Sequence, residues 1–326
     1  KIVNLYKNMI LITGCAGFIG FHLAKKLLIN KKKVIGIDCI NNYYPRSKKY
    51  QRLKIIKKYD NFKFLKVDLN DYNKVNNQLK KYKIDVIIHL AAQPGVRISI
   101  QKPHNTLKQN LIPFLNIIEI SRLKKVKKFI YASSSSVYGD SKIYPFNEKD
   151  YKNIPVSVYG ATKFANEIIA ASYSKNFNIK CVGLRFFTVY GPYGRPDMAY
   201  YSFLDNLRNN KSIKVFNKGK MMRDFTFIDD VINGIMKVIQ IKFKKNYEVL
   251  NIGKGKPDKL MDLITLLEKY YKKKFTIKYT NNVPLGDIKK TYSNVSKAKK
   301  TINWDPKTNL KDGIKKFVDW YKANNA

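Results

Sequence analysis

The chain has 326 residues, 44% of them hydrophobic, and its 64 basic side chains against 23 acidic ones give a formal net charge of +41. That length supports one large or two modest domains around a substantial core; no apolar run reaches the roughly 18 to 20 residues that cross a bilayer, and no signal-peptide pattern opens the chain, so a soluble cytoplasmic protein is expected. The excess charge sits on lysines spread along the whole chain, with only eight arginines, which argues against a clustered nucleic-acid-binding patch, and Cys15, Cys39 and Cys181 lack metal-ligand or redox spacing, so reduced thiols and no metal site are expected.

Met9-Ile-Leu-Ile-Thr13 reads as a buried strand, followed by Gly14-Cys-Ala-Gly17-Phe18-Ile19-Gly20 and an amphipathic run to about Asn30. Strand, glycine turn and helix in that order form a dinucleotide site. The glycines allow a tight turn, a close approach to a pyrophosphate and packing of helix on sheet, with the helix N-terminus facing the phosphates. A second strand, Lys33 to Asp38, ends in an acid eighteen residues after Gly20. Asp38 is placed for the adenosine ribose hydroxyls, which disfavours a 2′-phosphate and points to NAD.

Further strands are read at 62 to 67, 84 to 89, 127 to 132 and 179 to 185, with a helical pattern over 104 to 122. This alternation predicts an α/β fold, a Rossmann-type doubly wound parallel sheet with ligands at the C-terminal strand ends. The fifth strand delivers four serines, Ser133 to Ser136, before Val137-Tyr-Gly. Tyr159 and Lys163 lie four apart on a helix and therefore on one face. A cation beside the phenol favours the phenolate, so the pair is expected to form a base whose phenol titrates nearer neutrality. His89, at the end of an apolar strand, is read as structural. Past residue 181 the elements shorten, with helices expected at 200 to 209, 229 to 240, 258 to 271 and 310 to 322, and a smaller substrate-binding α/β domain is placed there.

The Gly14, Gly17 and Gly20 spacing resembles the extended short-chain dehydrogenase/reductase family. That resemblance implies that Asp68 and Leu69 flank the adenine, that the backbone of Leu90-Ala91-Ala92 runs beside the nicotinamide ribose, and that Ser134 hydrogen-bonds the reacting sugar oxygen and Tyr159. It implies a cofactor domain over 9–180 and a mainly nucleotide-sugar-binding domain over 181–326, with segments exchanged between the lobes.

Two runs narrow the family. Ala91 to Arg97 and, more specifically, Arg185-Phe-Phe-Thr188-Val-Tyr-Gly191-Pro-Tyr-Gly-Arg195-Pro-Asp197-Met-Ala199 resemble the UDP-glucuronate 4-epimerases. The resemblance implies an NAD-dependent C4 epimerase that converts UDP-glucuronate to UDP-galacturonate for polysaccharide synthesis, and a homodimer built through the helices near 104 to 122 and 157 to 175. Related dehydratases and decarboxylases carry carboxylates where this chain has Ser135 and Ser136, so simple epimerisation is expected. Thr188, Arg195, Ser135 and Ser136 are candidates to hold the sugar carboxylate ionised, Arg195 by a charge-assisted contact. Arg223 is expected to meet the diphosphate, Phe216 to stack on uracil and Asp287 to bind the uridine ribose. One departure stands out: where some members carry an arginine three residues before that aspartate, this chain has Pro284, so a phosphate contact is missing or comes from a neighbouring lysine. The alternatives are a UDP-glucose/UDP-galactose 4-epimerase and a basic NAD-binding scaffold without catalytic activity.

Overall fold

The strand at Met9–Thr13 and the one at Val34–Asp38 are buried at every position, as parallel strands covered on both faces must be. The computed structural model describes residues 8–150 and 154–325. Strand and helix alternate through β1 (Met9–Thr13), α1 (Phe18–Ile29), β2 (Val34–Asp38), α2 (Arg46–Ile56), β3 (Phe62–Lys66), α3 (Tyr72–Leu79) and β4 (Ile84–His89). Next come α4 (Val96–Gln101), α5 (Pro103–Leu123), β5 (Lys128–Ser134), α6 (Val158–Phe177) and β6 (Cys181–Phe186). Shorter elements follow: β7 (Thr188–Tyr190), α7 (Ala199–Arg208), β8 (Ile213–Val215), β9 (Met222–Arg223), β10 (Phe225–Phe227), α8 (Ile228–Gln240) and β11 (Tyr247–Ile252). The chain closes with β12 (Asp258–Lys259), α9 (Leu260–Tyr271), β13 (Ile277–Tyr279), α10 (Ser296–Ile302) and α11 (Leu310–Asn325).

Seven strands form the central sheet in the order β3-β2-β1-β4-β5-β6-β11, and every adjacent pair is parallel. The order reverses beside β1, whose neighbours are β2 and β4, so the turns leaving β1 and β4 diverge and open a crevice there. This is the doubly wound sheet expected from the alternation. Two of its strands, β6 and β11, come from beyond residue 180, so the sheet extends past the expected domain division. β11 had no counterpart among the strands read from the sequence. The remaining strands pair in twos, β7 with β10, β9 with β12 and β8 with β13. They carry the later lobe, into which α11 sends Phe317, edge-on to Tyr200 at 4.9 Å.

Helix α6 starts where the Ser157 side chain accepts from the Gly160 amide and ends at Asn178 in the left-handed conformation, as cap chemistry favours. Its inward face carries Tyr159, Lys163 and, one further turn on, Glu167. The Glu167 carboxylate accepts from Arg185 Nε at 2.9 Å and from Nη2 at 2.7 Å, and it also accepts from the Ser133 hydroxyl. Arg185 and Glu167 are 1% exposed, and the Arg185 guanidinium lies 4.7 Å from the Tyr138 ring centroid. One ion pair thus clamps α6 to β6 and to the end of β5. Breaking a buried pair strands its partner charge, at a cost of about 3–5 kcal/mol. Glu167→Gln is therefore expected to lower unfolding stability by that amount in a urea titration, and an unchanged midpoint would refute the clamp.

Candidate active site

At the mouth of β1 the chain turns through Gly14, whose φ is +71° and where an added Cβ would lie 2.9 Å from the Ala91 amide nitrogen. Gly20 is tighter still, since a Cβ there would sit 2.2 Å from the Gly14 carbonyl oxygen. The first turn of α1 has no side-chain cap at Gly17, which leaves its amide donors and positive dipole end for an anion. Gly14, Gly17, Phe18, Ile19 and Gly20 line one wall of a cavity in the crevice. Asp38, Asp68 and Leu69 line the same cavity from β2 and β3, and Leu90, Ala91 and Ala92 line it beyond β4.

Asp38 is held firmly. It accepts from the Ala16 amide at 3.2 Å and the Ile40 amide at 2.8 Å, and Lys49 lies 3.7 Å away. Lys49 also donates to Asn41 at 2.7 Å, so its charge is already engaged. His89 is 2% exposed and shares a 2.9 Å hydrogen bond with the Thr13 hydroxyl. Burial, with the charge of Lys163 added, drives its imidazole down to about 3. A neutral ring bonded to the β1 end is a structural fixture, and the same Thr13 hydroxyl accepts from the Ala91 amide.

Beyond β5, Ser134 caps a 3-10 turn over Ser135–Tyr138 by accepting from the Ser136 amide at 3.1 Å, and it donates to the Ser136 hydroxyl at 3.2 Å. Lys163 is 2% exposed, donates to the Ala132 carbonyl at 2.8 Å and sits 5.9 Å from the Tyr159 ring centroid. Burial lowers its ammonium to about 8, still mainly cationic at neutral pH. The expected effect on Tyr159 needs correction: burial raises its phenol above the ordinary value, while Arg195 and the Ser134 hydroxyl pull it back. Desolvation outweighs the charges, and the main cation acting on the phenol is Arg195, because the Lys163 ammonium is turned to the Ala132 carbonyl.

Tyr159, Ser134, Arg195 and Tyr43 line both this cavity and a larger one of about 850 Å³. Ser135, Ser136, Thr188, Phe216, Arg223 and Asp287 line only the larger one. All of the candidate cofactor, catalytic and substrate residues named from the sequence therefore border one of two adjoining spaces. Several are already engaged with protein partners. Arg195 makes a two-pronged contact with Asp197, and Arg223 donates to the Met222 and Lys289 carbonyls. Asp287 accepts from Arg97 at 2.9 Å, and the Phe216 ring has Arg97 at 4.9 Å and Lys214 at 5.4 Å from its centroid. Asp287 is thus paired with Arg97 of α4.

Asp224 anchors this second wall. Fully buried, it accepts from the Gly255 and Ser293 amides at 3.0 and 3.1 Å and from the Lys254 amide and the Ser293 hydroxyl at 2.5 Å. Its own carbonyl receives the Thr188 amide at 3.1 Å. Among the described residues, no group of three or more His, Cys, Asp and Glu side chains could hold a metal.

Comparison with known proteins bears on this geometry. A family model described as NAD dependent epimerase/dehydratase family matches residues 10–253. An uncharacterized protein of Methanocaldococcus jannaschii is 47% identical over 98% of this chain and 97% of its own. A UDP-glucuronate 4-epimerase of Thermodesulfobacterium geofontis is 38% identical over 96% of each chain. The crystal structure of UDP-glucuronic acid 4-epimerase from Bacillus cereus, in complex with UDP-glucuronic acid and NAD, superimposes with a TM-score of 0.91 at 36% identity, covering 97% of this chain and 99% of that one. The chain belongs to the NAD dependent epimerase/dehydratase family.

Proposed function

We propose that this protein epimerises UDP-glucuronate at C4 to UDP-galacturonate with NAD+ as resident cofactor. The observation that carries the reading is the junction: Tyr159 and Ser134 border both the dinucleotide cavity and the larger one, whose near wall holds Ser135, Ser136, Thr188 and Arg195. The cradle at Gly14 and Gly20, the uncapped α1 N-terminus and Asp38 at the β2 end fit a dinucleotide with free ribose hydroxyls. Bound there, NAD+ supplies the acceptor and then the donor of the C4 hydrogen. Residues 9–180 contribute most of that site, and the later segments hold the UDP-sugar.

Tyr159 takes the proton of the 4-hydroxyl, and Ser134 orients the two oxygens. Lys163, fixed on the Ala132 carbonyl, keeps a positive charge behind the ring. Arg223, Asp287 and Phe216 take the diphosphate, uridine ribose and uracil. The 4-keto uronate is a β-keto acid, prone to lose CO2 when its carboxylate is desolvated. Three hydroxyls and Arg195 at that wall keep the carboxylate ionised and bonded. Neither Ser135 nor Ser136 supplies the carboxyl proton carrier that elimination or assisted decarboxylation calls for.

Product analysis by NMR after separate incubation with UDP-glucuronate and UDP-glucose tests the reading. UDP-galacturonate is the expected product, whereas a pentose product or turnover of UDP-glucose alone would overturn it. Tyr159→Phe is expected to cut turnover by about 10²–10⁴-fold with NAD still bound, and full activity in that variant would remove the phenol from the mechanism.

A homodimer and a cytoplasmic location complete the proposal. Helices α5 and α6 leave Leu107, Ile112, Leu115, Ile168 and Phe177 between 41% and 57% exposed, an apolar face suited to a second copy. The three cysteines are unpaired, and no helix among the described residues is long and apolar enough to cross a membrane. Light scattering is expected to give twice the 38.0 kDa chain mass; a monomer mass would contradict the dimer.

A further inference from the structure

Arg195 does not stand alone at the sugar wall. Its Nε donates to Asp197 Oδ1 at 3.0 Å and its Nη2 to Oδ2 at 2.5 Å. A third donor reaches the same carboxylate from a different part of the chain, the Tyr43 hydroxyl at 2.9 Å from Oδ2. Tyr43 belongs to the loop that leaves β2 just past Asp38, and 154 residues separate it from Asp197. Its ring lies 5.9 Å from the Arg195 guanidinium carbon. The hydroxyl is also seated against Gly95, where φ is +107° and a Cβ would come within 2.7 Å of the Tyr43 oxygen. Any side chain at residue 95 would push the phenol off Asp197.

The two loops that meet here share a foundation. Arg52 of α2 is 1% exposed. It donates to the Tyr44 hydroxyl at 2.7 Å, to the Ala16 carbonyl at 2.9 Å and to the Tyr193 and Gly194 carbonyls at 2.9 and 3.1 Å. One buried guanidinium therefore ties together the glycine turn, the residue after Tyr43 and the residue before Arg195. With the Tyr44 phenol and the Tyr193–Gly194 backbone both anchored, the Tyr43 hydroxyl and the Asp197 carboxylate set how the Arg195 fork is turned.

We propose that Tyr43 is a positioning residue that acts through Asp197 to hold the Arg195 guanidinium in the orientation that receives the sugar carboxylate. The inference rests on the uronate reading of Arg195 given above. A fork with two of its nitrogens committed to Asp197 presents the donors of the third, Nη1, to a ligand. Arginine loses less freedom on binding when it is turned in advance. The phenol performs this without adding a charge, so the Arg195–Asp197 pair keeps its balance. Removing the hydroxyl frees the Asp197 carboxylate to rotate and Arg195 to rotate with it. The cost falls on the carboxylate of the substrate and not on its UDP part.

Tyr43→Phe keeps the ring and its packing on Gly95 and deletes only the donor. The expected result is a KM for UDP-glucuronate raised about tenfold, the scale of one hydrogen bond to a charged group. The Kd for UDP, the NAD content and the melting temperature should stay near those of the parent protein. Equal weakening of UDP and UDP-glucuronate, loss of NAD or a lowered melting temperature would overturn the proposal in favour of a structural role. Arg195→Ala, run in parallel, separates this inference from its foundation. If Arg195→Ala weakens UDP-glucuronate selectively and Tyr43→Phe does not, the positioning role falls while the uronate reading stands. If Arg195→Ala itself shows no selectivity, the uronate reading falls and takes this inference with it.

Discussion

Glu167 and Arg185, each 1% exposed, meet inside the protein, and the geometry of the site depends on that contact. Tyr159, Lys163 and Glu167 follow one another at four-residue spacing on α6, so a constraint on the third acts on the first two. Arg185 grips Glu167 from β6 in two places, and Ser133 holds it from β5. Ser133 is flanked by Ala132, whose carbonyl holds Lys163, and by Ser134, whose hydroxyl acts on the phenol. Helix register and strand ends are thereby locked to each other within hydrogen-bond tolerance. A base and its helper hydroxyl need that tolerance if a substrate oxygen is to sit between them.

The Tyr159 phenol, the base of the proposed reaction, carries an energetic tension. Burial favours the neutral form, and the pull toward the phenolate comes from Arg195 and Ser134. Arg195 lines both cavities, and its own charge is balanced by Asp197. In the reaction proposed above, one guanidinium joins the electrostatics of the base to the recognition of a carboxylate. On that proposal a neutral hexose makes no use of the arrangement, and the uronate is favoured over UDP-glucose.

Much of this was legible in the residues because it is local. The strand, glycine turn and helix from Met9 to Asn30, the Asp38 strand end and the Tyr159–Lys163 face each follow from a few neighbouring positions, and the structure places them accordingly. Contacts between distant segments left no such trace. Tyr43 with Asp197 and Arg97 with Asp287 join residues 154 and 190 apart. β11 joins the central sheet by pairing with β6, more than sixty residues earlier in the chain. The sign of the Tyr159 shift is hidden for the same reason: a sequence displays the nearby lysine and conceals how much protein surrounds the ring. Glu167 did carry a signal, since an acid one turn past Lys163 on the buried face needs a cation, and Arg185 opens the run that marks the sugar site.

One chemical event is central to the proposed reaction: the hydrogen removed from C4 returns to the opposite face of the same carbon. UDP-glucuronate carrying deuterium at C4, incubated with the protein in ordinary water, measures it directly. UDP-galacturonate that keeps the deuterium at C4 is the predicted result. Inversion with the label washed into solvent would contradict it, because the C4 hydrogen would then have left as a proton and neither the dinucleotide cavity nor the placement of Tyr159 beside it would have a part in the reaction.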